Sequence, residues 1–204
     1  MFQTVYRLIR TGYEREVTRR NCTFKLFDTT MENVRRVACH FAPEEGARDP
    51  RKVGFFLCGG TGQGKTSILR AVNAMLCQFV DEGKVPSYEN DRYPVMVNAA
   101  EVARMATNDL DGYERLKRCE RLFIDDVGAE ASEVMSYGVP IHPMEDLLSY
   151  RYEQRSKTFL ASNYTYSELF CNTETWAAKY PDPRLEDRLY EILNIITFRG
   201  GSYR

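Results

Sequence analysis

The sequence lacks the features that would place a chain in a membrane or in a secretory compartment. No run of about 18 apolar residues occurs in its 204 positions. The opening stretch, MFQTVYRLIRTGYERE, carries arginines among its apolar residues and has no small-residue cleavage pattern, so it does not resemble a signal peptide. These absences predict a cytoplasmic protein without a membrane partner.

Paired cysteines and metal-binding cysteines are also missing. The six cysteines are widely spaced and include no C-x-x-C pair, and no histidine stands near enough to complete a zinc site. They are Cys22, Cys39, Cys58, Cys77, Cys119 and Cys171. We therefore expect reduced thiols rather than disulfides.

Neither sign of charge dominates the chain. The 28 Lys and Arg residues balance 29 Asp and Glu residues, so any binding to a polyanion must come from a local patch. No repeat, low-complexity tract or linker rich in Gly, Ser or Pro divides the sequence. At this length one domain can bury about 70% of the unfolded surface, so one core is sufficient.

The first residues differ in character from the rest. Residues 1–28 are predicted to form a short N-terminal helical appendage, and residues 29–204 the main domain. The first twenty positions hold five arginines against two glutamates, and a solvated helix face is the simplest interpretation of such a charge run. The arginines are Arg7, Arg10, Arg15, Arg19 and Arg20. A capping-box pattern from Thr29 to Glu32 predicts that the next helix starts at Thr29.

Short apolar segments alternate with helical patterns along the main domain. Strands are predicted at residues 53–58, 95–98, 121–127, 158–163 and 194–198. Helical recurrence of apolar residues predicts helices at 29–41, 68–80, 101–105, 143–154, 166–170 and 184–193. Near-continuous apolar strands between helices predict an α/β fold with a five-stranded parallel sheet covered on both faces.

Glycine is concentrated in GGTGQGKTS, residues 59–67, directly after the first strand. Gly59, Gly64, Lys65 and Thr66 satisfy the P-loop pattern G-x-x-x-x-G-K-[ST], in which backbone N–H groups and a helix N-terminus bind phosphates. Lys65 is expected to reach the β and γ phosphates and the Thr66 hydroxyl to coordinate Mg²⁺. The predicted nucleotide-binding residues are Gly59, Gly60, Thr61, Gly62, Gln63, Gly64, Lys65, Thr66 and Ser67. The alternative is a glycine-rich turn without a ligand.

Two aspartates end the third predicted strand, LFIDD. At the carboxyl end of a parallel strand Asp125 would face the P-loop and hold Mg²⁺, as a Walker B acid does, and Asp126 would polarise the attacking water. The sixty residues between Lys65 and Asp125 leave room for an additional strand and helix, which favours the ATPase branch of P-loop proteins over the simplest kinases and GTPases. The alternative is that the two aspartates only turn the chain.

Polar residues near the end of the chain complete the candidate site. Asn163 closes the fourth strand, where an amide can hydrogen-bond the attacking water in the role called sensor 1; a simple turn is the alternative. Arg188 is the candidate for an arginine finger supplied to a neighbouring subunit, a device worth about 10³ to 10⁵ in rate. A surface ion pair with the surrounding acids is the alternative for Arg188.

With these motifs the chain resembles the AAA+ ATPases of the bacterial helicase-loader and transposition-helper group, DnaC-like and IstB-like. The resemblance covers about Phe27 to Arg204 and rests on four segments: GGTGQGKT, LFIDDVG, YGVPIHPMEDLLSYRYEQRSKTFLASN and RLEDRLYEILNIITFRGGSYR. It implies that Asp125 and Asp126 form Walker B, that Asn163 is sensor 1, that Arg188 is the finger and that Arg204 is sensor 2.

The resemblance also implies an activity and partners. Such proteins assemble as ATP-dependent oligomers that hold single-stranded DNA and a client, either a replicative helicase or a transposase. Because Asp126 stands where many AAA+ proteins have glutamate, we expect slow ATP hydrolysis that a partner or DNA stimulates. DNA could be held by basic and aromatic residues between the second and third strands, with an ordinary exposed helix as the alternative. These residues are Arg104, Tyr113, Arg115, Lys117 and Arg118.

Two other functions fit the same P-loop. One is a small-molecule or nucleoside kinase, which would need a basic lid over both substrates. The other is an interaction module that binds a nucleotide only to stabilise its fold and does not hydrolyse it.

Overall fold

The computed structural model describes residues 1–20, 27–46, 49–85, 92–171 and 177–200. Its helices are α1 (Phe2–Arg19), α2 (Asp28–Phe41), α3 (Lys65–Asp81), α4 (Ala99–Asn108), α5 (Leu110–Arg118), α6 (Pro143–Glu153), α7 (Tyr166–Phe170) and α8 (Pro183–Ile192). Its strands are β1 (Gly54–Cys58), β2 (Val95–Asn98), β3 (Arg121–Asp125), β4 (Val134–Ser136), β5 (Val139–Ile141), β6 (Lys157–Ser162) and β7 (Leu193–Thr197).

Five strands form one parallel sheet in the order β2-β3-β6-β1-β7. They correspond to the five strands predicted from the sequence, so the α/β class and the parallel sheet are confirmed. β6 lies between β1 and β3 and is hydrogen-bonded to both. The strands that carry the P-loop and the paired aspartates are therefore separated by one strand in the sheet, and the additional strand expected between the two motifs in sequence is β2, at the edge of the sheet.

The sheet is covered by helices on both faces, and each face has its own apolar core. Phe55 and Leu57 point to the core that includes residues of α1, α2 and α3. Phe56 and Cys58 point to the opposite core, which is built from residues of α4 to α8. All five residues of β1 and of β3 are buried. Burial on both sides explains why these strands are almost continuously apolar in sequence.

The N-terminal segment packs against the rest of the protein. Val5, Ile9 and Tyr13 of α1 are buried in the core that α2 and α3 share. At Gly12 the two helices approach closely, because an added Cβ would lie 3.0 Å from the Cβ of Ala71 on α3. The segment expected as an appendage thus contains a helix that covers part of the sheet.

The predicted capping box at the start of α2 is not formed. The helix begins at Asp28 with Phe27 as its N-cap residue, and no side chain caps it. Since Asp28 already lies inside the first turn, its carboxylate stabilises the positive end of the helix without the box geometry.

The sequence pattern did not predict the β4–β5 hairpin. Its strands have three residues each, which is too short for periodicity to be recognised. Tyr137 and Gly138 form the turn with φ of 49° and 81°, and Tyr137 is 90% exposed at the tip. Among the residues described, no helix is both long enough and apolar enough to cross a membrane.

Candidate nucleotide-binding site

The candidate site lies where the carboxyl ends of β1, β3 and β6 meet at one edge of the sheet. Because the strands are parallel, the P-loop after Cys58, the aspartates after Ile124 and the polar residues after Ala161 all emerge on this edge. Ligands of open α/β sheets bind at this edge.

The P-loop takes a shape that requires glycine. Gly59 and Gly64 have φ of 146° and 85°, in the region that favours glycine. A Cβ at Gly59 would overlap the Gln63 amide, and one at Gly64 would overlap the hydroxyl of Tyr13 on α1. The Gln63 side chain also donates a hydrogen bond of 2.6 Å to the Gly200 carbonyl. The loop is thus held by α1 on one side and by the segment after β7 on the other.

Lys65 is the first residue of α3 and is only 6% exposed. Its Nζ donates hydrogen bonds to the carbonyls of Gly59 (2.7 Å) and Gly60 (2.8 Å) and to Oδ1 of Asn163 (2.9 Å). The ammonium group therefore lies at the centre of the loop, and Asn163 at the end of β6 lies beside it. The predicted roles of Lys65 in phosphate binding and of Asn163 as sensor 1 require this proximity.

Thr66 and Asp125 form the second contact across the site. The Thr66 hydroxyl donates a 3.1 Å hydrogen bond to Oδ1 of Asp125, which also accepts from the backbone N–H of Asp126. Burial raises the pKa of the Asp125 carboxyl, and repulsion from the Asp126 carboxylate acts in the same direction. The site thus concentrates negative charge beside the P-loop, where a cation would offset it.

Asp126 has a backbone conformation that is rare for residues other than glycine. Its φ is 55°, and its Oδ2 accepts a 3.3 Å hydrogen bond from the side-chain amide of Asn98. Asn98 ends β2, and its Oδ1 accepts from the N–H of Ala100 and so caps α4. Asn98 was missed in the sequence, although a polar residue at the carboxyl end of an apolar strand marks the same edge as Asp125 and Asn163.

A buried carboxylate follows the paired aspartates. Glu130 accepts a 2.9 Å hydrogen bond from the Gly128 N–H at one oxygen and a hydrogen bond from the Tyr180 hydroxyl at the other. The Lys179 ammonium donates to the Glu130 carbonyl. These bonds tie the loop after β3 to the segment that leads into α8. No motif in the sequence pointed to Glu130 or Tyr180, which lie fifty residues apart.

The structure describes only one of the two arginines that were assigned roles near the end of the chain. Arg188 lies on α8, with its guanidinium 5.3 Å from the centre of the Tyr152 ring and 3.9 Å from a carboxylate oxygen of Glu153. Its contacts within the chain are those of a surface ion pair, so a finger role requires a neighbouring subunit and stays a prediction. Arg204, the expected sensor 2, lies outside the described residues.

The expected DNA-binding patch between β2 and β3 is largely neutralised. Tyr113 is buried and donates hydrogen bonds to the Pro143 carbonyl and to Asp146, so its ring cannot stack on a base. Cations of the patch form ion pairs with acids: Arg104 with Glu101, Lys117 with Glu114 and Asp146, and Arg118 with Glu114. The prediction that Tyr113 contributes a stacking surface is wrong, because α5 packs this side chain against α6.

The residues at the site fit a nucleotide triphosphate with Mg²⁺. The P-loop presents backbone N–H groups and Lys65, and Thr66 and Asp125 present the hard oxygen ligands that Mg²⁺ prefers. Within the described ranges no group of three or more His, Cys, Asp or Glu side chains could hold a metal by itself.

Comparison with solved structures finds the same fold in replication proteins. DnaI superposes with a TM-score of 0.58 over 89% of this chain and 88% of its own, at 22% identity. The DnaC helicase loader gives 0.54 over 86% and 94%, at 15% identity. AMPPCP-bound DnaA from Aquifex aeolicus gives 0.50 over 85% of this chain and 48% of its own, at 16% identity. No protein-family model and no curated protein sequence matches the chain.

The sheet order and the P-loop therefore define an α/β fold of the P-loop NTPase type. Among the proteins with this fold, the chain is similar over most of its length to DnaI and DnaC, so the resemblance to the DnaC-like group is confirmed at the level of the fold.

Proposed function

We propose that this protein is an ATP-binding and ATP-hydrolysing AAA+ protein of DNA replication that acts on a helicase or transposase client together with single-stranded DNA. The observation that carries the proposal is the meeting of two pairs at one sheet edge, Lys65 with Asn163 and Thr66 with Asp125. These four side chains come from three segments of the chain, and a glycine-rich turn without a ligand would not require them to converge.

The P-loop binds the phosphates of ATP. On binding, Lys65 exchanges its carbonyl acceptors for oxygens of the β and γ phosphates, and the N–H groups at the start of α3 face the same oxygens. Thr66 and Asp125 would hold Mg²⁺, which would supply positive charge beside the transferring phosphoryl group. The AMPPCP bound to the similar DnaA structure supports nucleotide binding by a protein of this fold.

Asp126 and Asn163 orient the attacking water. Asp126 accepts its proton, and Asn98 fixes the direction of the Asp126 carboxylate through the amide contact of 3.3 Å. Asn163 contacts the γ phosphate side because it lies beside Lys65. Aspartate is one methylene shorter than the usual glutamate, so the water is held less closely and turnover is slow.

The active form is a homo-oligomer in which Arg188 of one subunit reaches the ATP of the next, and Arg204 acts as sensor 2 within its own chain. The ion pair with Glu153 holds the Arg188 side chain, partly exposed, on the surface, where it can contact a neighbouring subunit. Similarity to the DnaC helicase loader supports a helicase as the client, and a transposase is the second candidate.

The direct test is ATP hydrolysis with and without single-stranded DNA. We expect slow release of free phosphate that DNA accelerates, and a loss of about 10²-fold or more with Asp126→Asn, the size typical of a lost general base. Phosphate transferred to an added nucleoside would indicate a kinase instead. A rise in the melting temperature on adding ATP, without any ATP hydrolysis, would indicate a module that only binds the nucleotide.

Mixing two inactive variants tests the role of Arg188. Asp126→Asn keeps Arg188 but cannot activate water, whereas Arg188→Ala keeps Asp126 but lacks the finger. In a mixed ring about a quarter of the interfaces combine an intact Asp126 with a neighbour's intact Arg188, so activity should return to about that fraction. No recovery on mixing, in oligomers shown to contain both variants, would rule out a finger in trans.

A further inference from the structure

Helix α1 has two faces of opposite character. Val5, Ile9 and Tyr13 are buried against the protein. Arg7 and Arg15 are exposed on the other side of the helix, about 160° and 120° around its axis from Ile9 at about 100° per residue. Arg10 is half-buried and lies about 100° from Ile9, at the edge of the same face. In the part of the chain that the structure describes, none of these three guanidinium groups forms an ion pair or a hydrogen bond with the protein.

This absence of partners sets α1 apart from the other cationic surface. Around α4 and α5, Arg104, Lys117 and Arg118 are neutralised by acids at 3.3 Å or less. On α1, Glu16 faces inward and pairs with Arg19 and with Arg70 of α3, so it does not neutralise the outward arginines. The outward face of α1 therefore carries a net positive charge, with three arginines against the one acid Glu14, on a chain whose total charge is close to zero.

The remaining side chains of this face identify the class of ligand. Thr4, Thr11 and Thr18 are exposed, and Glu14 is the acid among them. Arginine and threonine are residues that contact phosphate oxygens of nucleic acids. A lipid surface would require large apolar side chains beside the cations, and those of α1 are turned into the core.

We propose that the outward face of α1 (Arg7, Arg10 and Arg15, with the hydroxyl of Thr11) binds the phosphate backbone of single-stranded DNA. The choice of single-stranded DNA among polyanions rests on the function proposed above. Eight residues of helix separate Arg7 from Arg15, which is about 12 Å at 1.5 Å per residue and spans two or more backbone phosphates.

The position of α1 also brings such a contact close to the nucleotide. Tyr13, on the inward face, lies against Gly64 of the P-loop, and Glu16 is 3.7 Å from Arg70 on α3. α3 begins at Lys65. A ligand on the outward face is therefore one helix diameter from the phosphate site, which is a physical route by which DNA could affect hydrolysis.

The test compares two triple variants of the full chain. Arg7→Gln/Arg10→Gln/Arg15→Gln removes the proposed site. Arg35→Gln/Arg51→Gln/Arg155→Gln removes the same charge from three exposed arginines that are each paired with an acid. Binding of fluorescein-labelled oligothymidylate is measured by anisotropy at several salt concentrations with a non-hydrolysable ATP analogue, alongside vesicles containing phosphatidylserine and ATP hydrolysis without DNA.

We expect the α1 variant to reduce the slope of log K against log salt by about two units, roughly 0.7 for each phosphate contact, and the control variant to leave it unchanged. Equal weakening by both variants would reduce the effect to net charge and overturn the proposal. Unchanged binding by the α1 variant, absence of oligothymidylate binding, or binding to vesicles alone would overturn it as well. ATP hydrolysis by the wild type without DNA tells these outcomes apart from failure of the proposed function.

Discussion

At the scale of single residues, the site combines functional geometry with unfavourable electrostatics. Asp125 is 7% exposed, carries a raised pKa and lies next to the negative charge of Asp126. Its bonds to Thr66 and to the Asp126 N–H offset only part of this cost, since the direction of the pKa shift is still upward. Such a carboxylate is stabilised when a cation binds, which is what a magnesium ligand requires.

Replacing Asp125 tests this balance. The folded pKa is above the unfolded value, so the ionised carboxylate lowers the free energy of unfolding at neutral pH, and this cost disappears as the pH falls through the folded pKa towards the unfolded value of about 3.9. We expect nucleotide-free Asp125→Asn to melt at a higher temperature than the wild type at pH 7, and the difference to vanish near pH 4. The variant should also lose the additional stabilisation that Mg²⁺ gives to the ATP complex. A lower melting temperature at pH 7 would contradict the account.

Tyr180 supports the loop that carries the aspartates. Removing its hydroxyl leaves one oxygen of the buried Glu130 carboxylate without its donor, which costs about 1–3 kcal/mol. We expect this decrease in the free energy of unfolding for Tyr180→Phe, measured by urea denaturation. Tyr190→Phe is the control, because Tyr190 is exposed, and it should change stability by no more than about 0.5 kcal/mol. Equal effects of the two variants would show that the contact does not stabilise the loop.

At the scale of elements, one buried arginine joins three of them. Arg151 of α6 is fully buried, and its guanidinium donates to the carbonyls of Leu116 (2.8 Å) and Cys119 (2.8 Å) at the end of α5. It also donates to the Thr158 hydroxyl and the Lys157 carbonyl at the start of β6. The last carbonyls of α5 thus find donors from another helix, which is why α5 can end inside the protein.

Arg151→Met should be severely destabilising. The substitution keeps most of the volume but leaves several buried acceptors without donors, and at about 1–3 kcal/mol each the loss should reach at least 3 kcal/mol. Arg155→Met, which removes an exposed ion pair with Glu191, should cost less than about 1 kcal/mol. Chemical denaturation of both variants measures the difference, and similar costs would contradict the capping role of Arg151.

Elements with a long pattern were predictable from the sequence, and elements defined by contacts were not. The five sheet strands follow from apolar runs that both faces of the sheet require. The β4–β5 hairpin was missed because each strand has only three residues and its turn uses Tyr137 rather than a typical Asn-Gly pair. α1 was expected as an appendage because its arginines are visible in sequence, whereas the pairing of Gly12 with Ala71 on α3 is not.

The same distinction holds within the site. Lys65, Thr66 and Asp125 belong to motifs with fixed spacing, so their positions could be predicted. The partners Asn98, Glu130 and Tyr180 reach the site through the sheet order and through contacts distant in sequence. The stacking role expected for Tyr113 was wrong because sequence does not reveal that α5 packs this side chain against α6.

At the scale of the whole molecule, the order of strands assembles the site. With β6 between β1 and β3, the loops after all three strands open at the same edge, and α3 directs its N-terminus to the same place. α1 on one face and α8 on the other are joined to this edge by Tyr13 and by the Glu130–Tyr180 contact. A ligand bound on either face of the sheet is therefore connected to the phosphate site through these side-chain contacts.

Binding of ATP and Mg²⁺ through Lys65 and Asp125 can be measured by isothermal titration of the wild type and Lys65→Ala with a non-hydrolysable ATP analogue, in the presence and absence of Mg²⁺. We expect Mg²⁺-dependent binding by the wild type and a loss of at least about tenfold in affinity for Lys65→Ala, which corresponds to about 1.4 kcal/mol. Equal affinity of the two proteins, or no binding by either while both remain folded, would contradict this expectation.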